Sequence, residues 1–269
     1  MNRTVFSLPD RSEYRTRGGL LVTRSVEHFS GGASRLDDLI ELLDRRRGVV
    51  LSSGTTVPGR YESFDLGFAD PPLQLQTSGA SFSLSALNAR GEVLIAFLGD
   101  VLRDPSVVVT ERSASRLSGH ILRGDAPVNE DQRTRRASVM SLVRELVAAF
   151  GSNDDSLLGL FGAFAYDLVF QIEDLVQKRA RESDQRDIVL YVPDRILAYD
   201  RATGRGVVLS YDFAWKGQST EGLPRDTQES VYAKTPRQGF ADHAAGEYQA
   251  TVETARADEG PNLSACSND

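Results

Sequence analysis

Over residues 73–76, and again over 81–86, apolar and polar residues alternate. Leu73-Gln74-Leu75-Gln76 is followed by Phe82, Leu84 and Ala86 set against Ser81, Ser83 and Ser85. This period of two is the tightest constraint the chain carries, because successive side chains of a strand point to opposite faces. One face is to be covered and the other wetted, which is the condition of an antiparallel sheet rather than a parallel one. Residues 88–91, Asn-Ala-Arg-Gly, read as a turn and 92–98 as the returning strand. Pro105 precedes a β-branched run, Val107 to Thr110, and 20–29 and 49–51 read as further strands. A hairpin is expected where 196–200 and 207–211 flank the turn 201–206. The expected class is α+β, mainly antiparallel sheets with flanking helices.

Helical spacing is confined to a few segments. Ser34 offers an N-cap with Asp37 three residues on, and Leu36, Leu39, Ile40 and Leu43 make one stripe, so 35–46 is expected to be a short helix. Val139, Val143, Leu146, Val147 and Phe150 give a helical face over 136–150, stopped at Gly151. Leu157, Phe161, Phe164, Leu168, Ile172 and Leu175 suggest another helix, weakened by Gly159 and Gly162. The polar stretch 111–135 reads as a long surface connection, and 215–241 as a linker. A last helix is expected over 242–256, and a disordered tail over 257–269.

The formal charge is −7, from 31 Lys and Arg against 38 Asp and Glu. That balance argues against a grip on nucleic acid or on an anionic membrane. A single cysteine, Cys266, allows no internal disulfide and suits a reducing compartment. His28, His120 and His243 are far apart, so no Cys/His zinc spacing can be written and no metal site is expected. The N-terminus lacks the apolar core of a secretory signal, and no apolar run reaches the length of a membrane span. The expected address is the cytoplasm.

No motif announces a catalytic centre. Thr203-Gly204-Arg205-Gly206 lacks the third glycine and the following helix of a phosphate cradle, and suits a hairpin turn. Arg135-Arg136-Ala137-Ser138 has the form of a kinase target, a pattern common by chance. Two segments stand out. In 49–65 a buried strand delivers Ser52 and Ser53, then a Gly/Pro turn, then Gly59-Arg60-Tyr61. Polar groups at strand ends often build ligand sites, though a tight hairpin with capping serines has the same spacing. In 158–169 glycines and aromatics alternate through Gly159, Gly162, Tyr166 and Asp167, which by composition alone suits a Gly-rich core segment.

Together these segments resemble the N-terminal domain of the large component of anthranilate synthase. Leu51-Ser52-Ser53 is similar to that family's Leu-Glu-Ser step, and Gly59-Arg60-Tyr61 to its Gly-Arg-Tyr-Ser motif. Gly159, Gly162, Tyr166, Asp167 and Val169 match its G-x-x-G-x-x-x-Y-D-x-V motif, and Pro193-Asp194 with the 196–211 hairpin resembles the strands that follow. The stretch from Pro58 to Leu73 and the opening 17–24 are most similar to the variety fused to its glutaminase. The resemblance implies part of an orthogonal β-sandwich in an enzyme that makes anthranilate from chorismate and glutamine, the entry to tryptophan synthesis. It implies domain limits of 1–240 for the N-terminal domain, 241–256 for the start of the chorismate-binding domain, and 257–269 for a non-matching tail. The catalytic groups and Mg2+ belong to the other half, so this chain is expected to hold no catalytic residue and no cofactor and to be inactive alone. Its expected partners are the missing catalytic domain or the glutaminase, and tryptophan as a feedback ligand at Ser52 and Ser53. The family usually has Glu at the position of Ser52. Serine replaces a charge-assisted bond of about 1.5–3 kcal/mol by a neutral one of about 0.5–1.5, so weak tryptophan binding is expected. A free-standing amino-acid-binding module, or a non-catalytic subunit that docks a separate catalytic partner, would also fit these residues.

Overall fold

The computed structural model describes residues 3–31, 33–52, 64–122, 137–173 and 184–225, together with 175, 176, 178, 180 and 181. The chain divides into two units, Met1–Val231 and Tyr232–Asp269, and all described residues lie in the first. The expected helix over 242–256, the tail, His243 and Cys266 lie outside the described residues.

Two antiparallel sheets carry the fold. The larger is built from β1 (Arg11–Arg15), β2 (Leu21–Ser30), β3 (Gly48–Leu51), β4 (Asp65–Ala69), β11 (Arg195–Asp200), β12 (Arg205–Trp215) and β13 (Gln218–Ser219). Its order is β1-β2-β12-β11-β4-β3, with β13 paired to β12. The smaller contains β5 (Leu73–Ser78), β6 (Ser81–Ala86), β7 (Val107–Arg112), β8 (Arg116–Ile121), β9 (Phe161–Phe164) and β10 (Ile188–Val192), in the order β7-β8-β6-β5-β10-β9. The chain passes between sheets through residues 70–72 and 193–194, and a proline in each short passage suits the end of a strand.

The alternation read from 73–87 sets the core. Leu73, Leu75, Phe82 and Leu84 join Leu117, Ile121, Ile188 and Leu190 on the inward face of the smaller sheet. Val22, Ile196, Ala198, Val207, Leu209, Tyr211 and Phe213 of the larger sheet belong to the same cluster. The 196–211 hairpin is present, its turn closed by Gly204 at φ +67°.

Several local expectations are corrected. The expected linker over 215–241 begins inside the sheet, since Trp215 ends β12 and Gln218–Ser219 form β13. Residues 92–98 form not a strand but the middle of helix α2 (Ala89–Val101), with Asn88 as N-cap accepting from the Arg90 and Gly91 amides. Val93, Leu94, Ile95, Phe97 and Leu98 are all buried because α2 packs against strands of both sheets, and a helix covered on several sides is apolar nearly all round. Residues 116–121 are strand β8, not part of a surface connection; residues 123–136 lie outside the described residues. Residues 157–175 are not one helix. They hold β9, a 3-10 turn at Tyr166–Leu168 and the one-turn helix Val169–Ile172. In helix α3 (Val139–Phe150), capped by Ser138, Val147 is 55% exposed and so leaves the expected buried face. The strands at 20–29 and 49–51 stand where the spacing put them, whereas helix α1 (Ala33–Leu42) starts before Ser34, which is therefore not its N-cap, ends before Leu43, and leaves Ile40 46% exposed. No helix among the described residues is long and apolar enough to cross a membrane.

Candidate functional site

Ser52 follows directly on β3, an edge strand of the larger sheet. The β3–β4 register pairs Leu51 with Leu66, so one step further Ser52 faces Asp65, the first residue of β4. The β4–β11 register pairs Asp65 with Tyr199, and Arg201 lies just past the end of β11. Sheet geometry therefore lines up Ser52, Asp65 and Arg201 across three strands, as cross-strand neighbours.

Ser52 Oγ donates to Asp65 Oδ1 at 2.5 Å, and Arg201 Nε donates to Asp65 Oδ2. The Asp65 side chain is 2% exposed and that of Arg201 61%. Ser52 itself is exposed. The site thus places a buried, doubly bonded carboxylate behind an accessible hydroxyl. Ser53, Gly59, Arg60 and Tyr61 lie outside the described residues.

The second segment stands on the other sheet. Gly162 in β9 faces Val189 and Leu190 of β10 so closely that a Cβ there would lie 2.0 Å from the Val189 carbonyl oxygen. Gly159 meets no such neighbour. Asp167 accepts from the Gln185 side-chain amide, and Tyr166 is 89% exposed. The segment reaches the larger sheet through Phe161, whose ring meets Phe68 of β4 at 5.8 Å. Gly162 and Asp167 therefore have local structural partners, and Tyr166 presents its ring outward.

Two buried ionic clusters escaped the sequence reading. Arg90, at the start of α2, is 1% exposed and directs its five N–H groups to Asp194, the Thr220 and Leu223 carbonyls, the Tyr211 carbonyl and Asp212. Arg225 adds bonds to Asp194 and Asp212. Burial pushes the Asp194 carboxyl up, and Arg90 and Arg225 oppose that shift. In the other cluster, Tyr14 Oη and Arg24 Nη1 both donate to Asp155 Oδ2, at 3.0 and 2.9 Å, while Oδ1 accepts from the Leu157 and Leu158 amides. Burial, reinforced by the Asp155 charge, raises the Tyr14 hydroxyl far above its ordinary range. The one available signal was an arginine, Arg90, set next to an apolar helical run.

An open cleft of about 460 Å³ lies beside α1, lined by Leu39, Phe68, Leu197 and Val208 among others. Several charges on its wall are paired within the chain: Arg35 with Glu27, Arg46 with Asp70 and Arg225 with Asp194. Among the described residues no three His, Cys, Asp or Glu side chains gather as metal ligands.

No protein-family model matches the chain. It is 41% identical over 258 residues to an anthranilate synthase of Azospirillum brasilense, covering 94% of this chain and 35% of that protein. It is 30% identical over 190 residues to anthranilate synthase component 1 of Serratia marcescens, covering 68% of this chain and 35% of that one. With the Escherichia coli component 1 the identity is 26% over 162 residues, or 60% of this chain and 31% of the relative. The chain therefore spans about a third of the length of the curated relatives it matches, and across nearly all of its own length it is similar to the Azospirillum anthranilate synthase.

Proposed function

We propose that this chain is the N-terminal, regulatory part of a cytoplasmic anthranilate synthase, the enzyme that converts chorismate and glutamine to anthranilate on the way to tryptophan. The observation that carries this reading is the 41% identity held over 258 residues. The geometry agrees with a binding role: an exposed hydroxyl at the end of β3 is backed by a buried carboxylate. In this reading Ser52 and Ser53 take part in the tryptophan feedback site, and catalysis belongs to residues beyond this part.

The fused variety, with large and glutaminase components in one chain, is favoured by relative length. Since 258 residues make 35% of the Azospirillum protein and 190 make 35% of the Serratia component 1, the former is longer by the ratio 258/190, about 1.4. That is room for an additional module. In the unfused case the glutaminase is a separate partner. The described residues offer no ligand set for the Mg2+ that the resemblance implies for the complete enzyme.

The test is ligand-observed NMR of tryptophan with the 269-residue chain. Weak, saturable binding in the millimolar range is expected, displaced by no other apolar amino acid at equal concentration. Absence of any tryptophan-selective signal would overturn the reading of the site. With chorismate and either glutamine or ammonia, the chain alone is expected to produce no anthranilate fluorescence.

A further inference from the structure

Ser52 raises a chemical question, because a serine hydroxyl can donate as well as accept. We infer that Asp65 is a positioning residue that turns Ser52 into an acceptor for the ammonium group of an α-amino acid. The pair then does the work for which a single carboxylate side chain would otherwise serve. The inference rests on the reading of Ser52 as part of the tryptophan site.

A serine hydroxyl has one proton and two lone pairs. Here the proton is committed inward, to Asp65 Oδ1 at 2.5 Å. Asp65 is not free to turn away, because Arg201 Nε bonds its other oxygen and the side chain is 2% exposed. What an incoming ligand meets is therefore the oxygen of an exposed residue with its proton withdrawn. That oxygen welcomes an N–H donor and repels a carboxylate. A hydroxyl that donates to a carboxylate is also a stronger acceptor than one that donates to water, since linked hydrogen bonds polarise one another. Arg201 opposes an ammonium by its charge, but at 61% exposure that charge is largely screened.

The strand register makes the arrangement obligatory rather than incidental. Ser52 and Asp65 are consecutive to the Leu51–Leu66 pair, so any chain that folds with this β3–β4 pairing brings them face to face.

The experiment compares tryptophan with indole-3-propionate, which keeps the ring and carboxylate and lacks the amine, by NMR titration. The wild-type chain is expected to favour tryptophan by about tenfold or more, the worth of one ammonium hydrogen bond that indole-3-propionate cannot make. Asp65→Asn, which keeps the shape and lets an amide donate to Ser52, is expected to lose that preference while indole-3-propionate affinity stays within about twofold. Adding Ser52→Glu to Asp65→Asn is expected to restore the preference, which a merely structural role for Asp65 would not allow. Ser52→Ala, at an exposed position, serves if Asp65→Asn does not fold, and is expected to lose the preference too. If neither compound binds wild type, the site reading fails and the inference with it. If wild type binds both equally, the inference fails and the site stands. Equal losses of both compounds in Asp65→Asn, or an unchanged preference in Ser52→Ala, would overturn the role of Asp65.

Discussion

Asp194 and Asp65 are buried to the same degree, each with 2% of its side chain exposed, and each is bonded by an arginine Nε. Their surroundings differ in one respect. The arginine at Asp194 is itself 1% exposed, and all its N–H groups end on protein oxygens. The arginine at Asp65 is 61% exposed, and the second oxygen of Asp65 goes to an exposed serine hydroxyl. The first cluster encloses its arginine: it ties the start of α2 to β12 and to residues 220–225, and Arg90 has no N–H left to offer a ligand. The second is open on one side. Burial of a carboxylate does not by itself mark a functional group; the exposure of what it holds does.

The sharpest way to break this contrast is to remove the closed arginine. Arg90→Met is expected to cost about 3–5 kcal/mol, because it strands Asp194 as a buried charge and leaves three carbonyls without that donor. Urea unfolding followed by circular dichroism measures it. Arg225, which also bonds Asp194, at 3.2 Å, remains as a counter-charge and is expected to rescue the loss only in part. A loss below about 1 kcal/mol would mean that the cluster is not closed in solution.

The same contrast between crowded and open sites separates the two glycines of the 159–169 segment. Gly162→Ala is expected to cost about 1–3 kcal/mol, since its Cβ would collide with the backbone of β10 and push β9 away. Gly159→Ala meets open space and is expected to stay within about 0.5 kcal/mol of wild type. Thermal unfolding of both variants, side by side, checks the pair.

What the sequence made legible follows from how many sides of an element are covered. β6 has one covered and one more open face, and the second face of β5 is polar even though Gln74 on it is buried, so Leu73, Leu75, Phe82 and Leu84 fall at a clean period of two that reads as strand. α2 is covered on several sides, so its 92–98 run is apolar without a helical stripe, and the same run was read as strand. Residues 157–175 failed for a different reason. Leu157 and Leu158 are buried in a loop pinned by Asp155, and Gly162 admits a strand crossing, so apolar spacing that suits a helix is used piecemeal. At the candidate site, Ser52 was visible because it stands at the end of a short apolar strand. Asp65 and Arg201 were not, since they join Ser52 only through cross-strand register, with 136 positions separating the two.

The open cluster is expected to respond more gently. Arg201→Ala removes one bond to Asp65 but no buried cation, and its replacement by water is easy at an exposed position. The expected cost is about 1 kcal/mol, shrinking with added salt, whereas the deficit of Arg90→Met is expected to be insensitive to salt. Denaturation at low and high ionic strength distinguishes the two. A salt-independent loss at Arg201 would put it with the closed cluster.

Asp100 gives the smallest effect and an independent check on how exposure limits a carboxylate's worth. Its side chain is 30% exposed, and it accepts from Trp215 Nε1 and Lys216 Nζ, both at 3.0 Å. The Trp215 bond first, then Lys216, holds its carboxyl down at about 2 against an ordinary 3.8. A carboxylate whose folded pKa lies below its unfolded one stabilises fully above the unfolded value, and that stability disappears as pH falls through the folded one. The stability gap between wild type and Asp100→Asn is therefore expected to be flat above about pH 5 and to close between about pH 4 and 2. Its plateau is expected below about 1 kcal/mol, as for other partly solvated pairs. Trp215 is the only tryptophan in the chain, so its fluorescence follows the titration directly. A wild-type fluorescence midpoint near 3.8 rather than 2 would show that the Trp215 and Lys216 bonds do not persist in solution, and that exposure has dissolved them.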